Sequence, residues 1–167
     1  MTHIKFLSGL GLMILVIAGC KSTGTWEKQE REQIDNYIKS LGDTAYVLKP
    51  SGLYYIELKP GSGRSPIVKD TITFWYKGMF LDRVVFDPLP TPSTPTTAII
   101  GTDNPTYKIS LSGLDEGVQY MKEGGKARFL LPSDLAYGTA GLWQIIPGYT
   151  PLIYEVQLLK VRAGSKK

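Results

Sequence analysis

One cysteine and one histidine occur among the 167 residues, at Cys20 and His3, both within the first twenty positions. The rest of the chain has neither imidazole nor thiol. That excludes Ser-His-Asp and Cys-His nucleophilic machinery, Cys/His zinc sites and disulfides from it. Concentrated charge is also scarce. The 19 basic and 15 acidic residues give a net charge of +4, but they are dispersed apart from the closing Lys166-Lys167. A nucleic-acid binder usually gathers Lys and Arg into one stripe, so no nucleic-acid partner is expected. The sequence has no Gly-rich phosphate loop and no cluster with metal-ligand spacing, so neither cofactor nor metal is expected. Chemistry is left to carboxylates, tyrosines, backbone amides and apolar surface. With 43% hydrophobic and 20% charged residues, the chain has a globular composition and room for one domain plus a modest appendage.

Lys5 precedes an apolar run from Phe6 to Ala18, short of the roughly 20 residues that a membrane span needs. A positive start, a short apolar middle and small residues before a cleavage point describe a secretory signal. The ending Val16-Ile17-Ala18-Gly19-Cys20 resembles the bacterial lipobox, in which the cysteine is diacylated and becomes the new N-terminus. A plain secreted protein or a short signal anchor is the competing reading, and use of the only cysteine at this position favours lipidation. Residues 1–19 are accordingly read as a lipoprotein signal peptide, with membrane attachment through Cys20. The expected location is the cell envelope, on a bacterial membrane, the outer one facing periplasm or surface.

Residues 20–45 read as a lipidated tether and an amphipathic helix. Lys21 to Thr25 is small and polar, whereas in Glu27 to Leu41 the residues Ile34, Tyr37, Ile38 and Leu41 recur at helical spacing. Such a one-sided helix must lie against something, either as a spacer with a packing stripe or as a dimerisation helix. Beyond it the signals are mainly β. Leu53 to Lys59 is a strand broken by Pro60-Gly-Ser-Gly63, and Thr71 to Lys77 alternates, with Ile72, Phe74 and Tyr76 on one face. Arg83 to Asp87 and Tyr107 to Leu111 are shorter extended stretches. Four prolines between Pro88 and Pro95 exclude a central strand and predict a stiff exposed loop. A short helix opens at Ser112 or Gly113 and carries Leu114, Val118 and Met121 before Gly124-Gly125. Lys126 to Leu131 and Leu152 to Val161 are strands, the second with Leu152, Tyr154, Val156 and Leu158 on one side. Several antiparallel strands and one short helix make an α+β domain.

Asp115 and Glu116 fall at the start of the short helix, where negative charge complements the helix dipole. Asp87, after Phe86 and before Pro88, is either a turn-capping aspartate or a site residue. A scattered set of large residues, Tyr76, Phe86, Tyr137, Ile145, Ile146 and Tyr154, reads singly as core. Yet Tyr137, Ile145 and Ile146 lie in the Gly-rich loop from Ser133 to Thr150, where they either cover the core or line an apolar pocket.

Taken together, the segments resemble the FKBP-type peptidyl-prolyl cis-trans isomerases. Phe74-Trp-Tyr-Lys-Gly78 and Phe86-Asp87 resemble a strand of the family and its Phe-Asp pair; Gly113 to Met121 resembles its central helix. Leu131-Pro-Ser-Asp-Leu-Ala-Tyr-Gly138 and Ile146-Pro147 are similar to its loop motifs, and Pro151 to Leu159 to its last strand. The resemblance runs from about Leu53 to Val161, and residues 46–163 are read as the isomerase domain, with 164–167 as a basic tail. It implies an antiparallel half-barrel sheet wrapped around one short helix, preceded here by the N-terminal helix, with an apolar pocket between sheet and helix. It assigns Tyr76, Phe86, Asp87, Tyr137 and Tyr154 to catalysis and Leu111, Leu114, Ile145 and Ile146 to substrate binding. It also gives the Ile146 amide as the anchor for a substrate carbonyl.

Two departures stand out. Leu114 occupies the place of the tryptophan that floors the pocket, and Thr91 to Pro105 is longer and richer in proline than the family pattern. The implied partners are proline-containing polypeptides, whose X-Pro bonds would be isomerised outside the cytoplasm. The alternative is a weakly active or inactive peptide-binding or chaperone module tethered to the membrane. The oligomeric state is not legible.

Overall fold

The computed structural model describes residues 23–87, 94–106 and 109–164. The expected signal peptide, Cys20, most of the proline-rich loop, Tyr107-Lys108 and most of the basic tail lie outside these residues. The elements in chain order are α1 (Thr23–Ser40), β1 (Val47–Leu48), β2 (Tyr54–Lys59), β3 (Thr71–Met79), β4 (Val85–Asp87), β5 (Thr96–Ile99), α2 (Ser112–Gln119), β6 (Lys126–Leu131), a 3₁₀ turn (Ser133–Leu135) and β7 (Leu152–Arg162). All strand pairs are antiparallel. Their order is β1-β2-β6-β7-β3-β4, and β5 also pairs with β3.

The sheet curls around α2. Leu114, Val118 and Met121, at helical spacing, are buried with Ile72, Phe74, Phe129, Leu131, Leu152, Tyr154 and Val156 in one core. Alternation along β7 holds from Leu152 to Leu158. Leu159 is then an extra residue opposite the step between Thr73 and Phe74, so the parity changes and Val161 returns to the core. Two glycines set how closely helix and sheet approach. A Cβ at Gly117 would sit 2.6 Å from the Phe129 ring, and one at Gly113 would sit 2.8 Å from Leu131 Cδ2.

The outer face of the sheet is covered at one corner by α1. Ile34 and Tyr37, with Ile38 and Leu41 beside them, pack on Met79, Leu130 and Ile153. This explains the unbroken pairs Leu130-Leu131 and Leu152-Ile153: with both faces covered, the period-2 pattern disappears. The apolar stripe of α1 is therefore occupied by the chain's own sheet. The helix starts at Thr23, inside the stretch expected as tether. Periodicity marks only the turns that pack, and extending a helix already nucleated costs little. The Glu30 carboxylate also accepts hydrogen bonds from the backbone N–H and hydroxyl of Ser133, tying α1 to the loop after β6. On the same outer face Arg128 pairs with Glu155, with Lys77 and Lys126 within 3.9 Å of that carboxylate. The cluster sets the facing of β7 that turns Tyr154 inward.

Two strands carry no strong sequence signal. β1 is two exposed residues, and β5 lies just past the loop expected from Pro88 to Pro95, within the stretch Thr91 to Pro105 read as longer and richer in proline than the family pattern. Conversely, Ile109–Leu111 form no ladder where an extended segment is expected; Leu111 instead caps α2. Asp115 and Glu116 do lie in the first turns of α2, where Asp115 Oδ1 accepts the Gly101 N–H and Glu116 Oε1 accepts the Ser51 and Tyr120 hydroxyls. Replacing Gly117 by alanine gains about 1 kcal/mol of helix propensity but drives a methyl into Phe129, an overpacking cost of roughly 1–3 kcal/mol. Gly117→Ala is expected to lower the unfolding free energy by up to about 2 kcal/mol in urea denaturation; a gain of about 1 kcal/mol, the helix propensity alone, would mean that α2 does not sit this close to β6.

Candidate active site

The core rings continue to the surface as a wall. Phe74 and Tyr76 stand 5.8 Å apart between centroids, Tyr76 and Tyr154 6.1 Å, and Phe86 meets Tyr154 edge-on at 6.0 Å. Phe80 backs Phe86 at 5.1 Å. β3 supplies Tyr76, β4 Phe86 and Asp87, and β7 Tyr154. The inward face of each strand selects which residue points at the helix. Beside this wall lies a cavity of about 230 Å³, lined by Tyr76, Asp87, Leu111, Leu114, Tyr137 and Tyr154. The structure thus brings together six residues from distant parts of the sequence, with Phe86 standing just behind them.

Ile145 and Ile146 are placed differently from the expectation. Ile146 is buried in the core at 3% exposure, and Ile145 is 54% exposed on the outside of its loop; neither lines the cavity. The cause is a tight closure in which Leu142 and Ile146 exchange hydrogen bonds, N–H to O in both directions at 2.8 Å. Successive side chains then point opposite ways, and the Ile146 N–H, expected as a carbonyl anchor, already donates to Leu142. At the cavity the available amide is that of Leu111, whose N–H has no acceptor among the described residues. The expected hollow is also less uniformly apolar. Thr96, Thr97, Thr106 and Ser110 also line it; the first two come from β5, missed in the sequence, which brings Thr96 against Phe74. The available signal was the short run Thr96-Thr97-Ala98-Ile99 after Pro95.

The electrostatics keep the phenols neutral. Burial, reinforced by the facing Asp87 carboxylate, pushes the Tyr76 hydroxyl up to about 12. Burial and the neighbouring Tyr137 hydroxyl raise Tyr154 as well. These groups can donate hydrogen bonds throughout the physiological range, and the site offers orientation and shape rather than an acid–base pair.

A half-barrel of antiparallel strands closed on one helix, with a ring-walled cavity at the N-terminal end of that helix, defines an FKBP-like domain. Residues 63–159 match the family model described as FKBP-type peptidyl-prolyl cis-trans isomerase. The chain is 32% identical over 168 residues to the macrophage infectivity potentiator of Trypanosoma cruzi, covering 94% of this chain and 82% of that one. It is 31% identical over 146 residues to the FKBP-type peptidyl-prolyl cis-trans isomerase FkpA of Escherichia coli, covering 83% of this chain but 51% of FkpA. It thus spans about half the length of that relative. The crystal structure of a peptidyl-prolyl cis-trans isomerase from Pseudomonas syringae superposes with a TM-score of 0.71 at 27% identity, over 87% of this chain and 100% of that one. The chain belongs to the FKBP-type peptidyl-prolyl cis-trans isomerase family and is an enzyme of that class.

Because the folded Tyr76 hydroxyl titrates above the unfolded value of about 10, its contribution to stability is complete below pH 10 and is lost as pH rises toward 12. The urea midpoint of wild type should fall relative to that of Tyr76→Phe between pH 10 and 12. Parallel curves for the two proteins would mean that Tyr76 is not shielded as described.

Proposed function

We propose that the chain isomerises X-Pro bonds of polypeptides outside the cytoplasm, from a membrane attachment at lipidated Cys20, with catalysis in the cavity beneath Tyr76 and Tyr154. The carrying observation is the convergence of Tyr76, Asp87, Leu111, Leu114, Tyr137 and Tyr154 on one hollow of about 230 Å³. Rotation about a peptide bond meets a barrier of about 18–20 kcal/mol because amide resonance must be broken, and X-Pro bonds interconvert over tens to hundreds of seconds unaided. No bond is made or cleaved, so the histidine- and thiol-free inventory suffices.

The prolyl ring sits on Leu114 among Tyr76, Phe86 and Tyr154. The twisted amide has lost resonance and its carbonyl is less polarised, so a dry aromatic cleft favours it over the planar, hydrated ground state. The Leu111 N–H takes the anchoring role expected of Ile146 and holds the carbonyl of the residue before proline. Tyr137 donates to a second carbonyl. Asp87 fixes the Tyr76 hydroxyl at the rim and transfers no proton. A thousandfold acceleration requires about 4 kcal/mol of differential stabilisation.

Proline-limited refolding and isomerisation of a short X-Pro peptide test this with the soluble fragment from Lys21. Wild type should accelerate both; Tyr137→Phe and Asp87→Ala should each lose about three- to tenfold in kcat/KM, the value of one hydrogen bond. Leu114→Trp should preserve or raise turnover, and a large loss there would displace the floor from Leu114. Peptide binding without acceleration would favour the alternative, a binding or chaperone module.

The location rests on the run from Phe6 to Ala18 and the following Gly19-Cys20. Fractionation of a bacterial host should find the wild-type chain with the membranes and Cys20→Ser released from them. Mass spectrometry should find a diacylated N-terminal cysteine; an unmodified Cys20 preceded by its intact leader would overturn the anchor.

A further inference from the structure

The basic residues are dispersed along the sequence, but the sheet register gathers five of them on one face. In β3, β6 and β7 the side chains that alternate with core residues point away from α2. Across these strands Arg128, Glu155 and Lys77 form one row, and Lys126, Gln157 and Trp75 the next. Past the bulge, Lys160 stands opposite Thr73 and Arg162 opposite Thr71. Lys77, Lys126, Arg128, Lys160 and Arg162 are all the basic residues of the three strands, and Glu155 is their one carboxylate. Arg128, Lys77 and Lys126 share that carboxylate, so it offsets one charge among three. Beside Val161 and Gly164 the carboxylates of Glu123 and Asp70 accept backbone N–H bonds, and Arg64 offsets the second. The face stays cationic, with Lys126, Lys160 and Arg162 exposed and the half-buried Trp75 among them.

Such a face suits an anionic partner, and its place in the chain says which. α1 packs on the same outer side of the sheet, and only Lys21 and Ser22 stand between its first residue and the proposed attachment at Cys20. An indole set among lysines is also the chemistry of a bilayer interface. The cavity lies on the concave side, against α2, and stays open when the outer side is covered. We infer that the outer face of β3, β6 and β7 seats the domain on anionic lipid headgroups, with Lys126, Lys160 and Arg162 facing the phosphates and Trp75 at their level. A second copy seated face to face would oppose the same charges.

This inference rests on the proposed membrane location, and the test reads the face without the anchor. The fragment from Lys21 keeps every described element and lacks Cys20. In sedimentation it should partition onto phosphatidylglycerol vesicles at least about tenfold better than onto phosphatidylcholine vesicles. The preference should vanish near 1 M salt, where the Debye length falls to about 3 Å. Lys160→Gln and Arg162→Gln should each weaken the partition about fivefold. Lys49→Gln removes an equal charge on the other side, where Lys49 lies over the Tyr120 ring after α2, and should leave the partition unchanged. Isomerisation of a short X-Pro peptide should be as fast on the vesicles as in solution; inhibition by them overturns the orientation. Equal partition onto the two lipids, or equal losses in Lys49→Gln and Lys160→Gln, overturns the seat. So does tighter binding to polyglutamate than to the anionic vesicles, which would make the partner an acidic polypeptide. An unmodified Cys20 strikes the attachment alone, and the vesicle partition still decides the face.

Discussion

Everything at the site depends on how closely α2 lies against β6. Gly113 and Gly117 remove the two methyl groups that would otherwise hold the helix off Leu131 and Phe129. With the helix pressed onto the sheet, Leu114 becomes the floor of the hollow and Leu111 its amide-bearing edge. A helix standing further from the sheet would carry both away from the rings on β3 and β7. The proposed mechanism needs no reactive group in this position, only a fixed shape, and fixed shape is what close packing supplies.

The second requirement is a sheet whose strands deliver rings from separate parts of the chain to one place. β3 is central to this. It pairs along its whole length with β7 on one side, while β5 and β4 share its other side. Tyr76 lies between the segments that β5 and β4 hold, beside Tyr154 from β7. The bulge at Thr73 and Phe74 lets one long ladder bend around the helix without losing the inward facing of either strand's large residues.

The sequence discloses much of this, for physical reasons that differ by region. β3, β6, β7 and α2 have clear periods because each packs one face on the core, and Tyr76, Tyr154 and Leu114 fall on those faces. α1 is visible through Ile34, Tyr37, Ile38 and Leu41, although its partner surface is not: Leu130 and Ile153 read as parts of short continuous runs. β5 is hidden because four residues among prolines and threonines carry little hydrophobic signal, and the polar wall of the cavity was hidden with it. The proposed exchange of roles between Ile146 and Leu111 is a matter of backbone hydrogen bonding. Two adjacent isoleucines do not disclose that a loop closure consumes both of their amides, which donate to the Leu142 carbonyl.

The packing of α1 has a consequence for how such a protein can be deployed. An 18-residue helix standing free would be a rod of about 27 Å, enough to carry a catalytic head well clear of a bilayer. Here that rod is laid down along the back of the head and bolted to it through Ile34, Tyr37 and the Glu30–Ser133 bonds. With Cys20 as the proposed point of attachment, only Lys21 and Ser22 separate it in sequence from Thr23. Under that proposal the protein would be a short-range tool, reaching chains that pass close to the membrane and leaving those in the open compartment beyond its grasp.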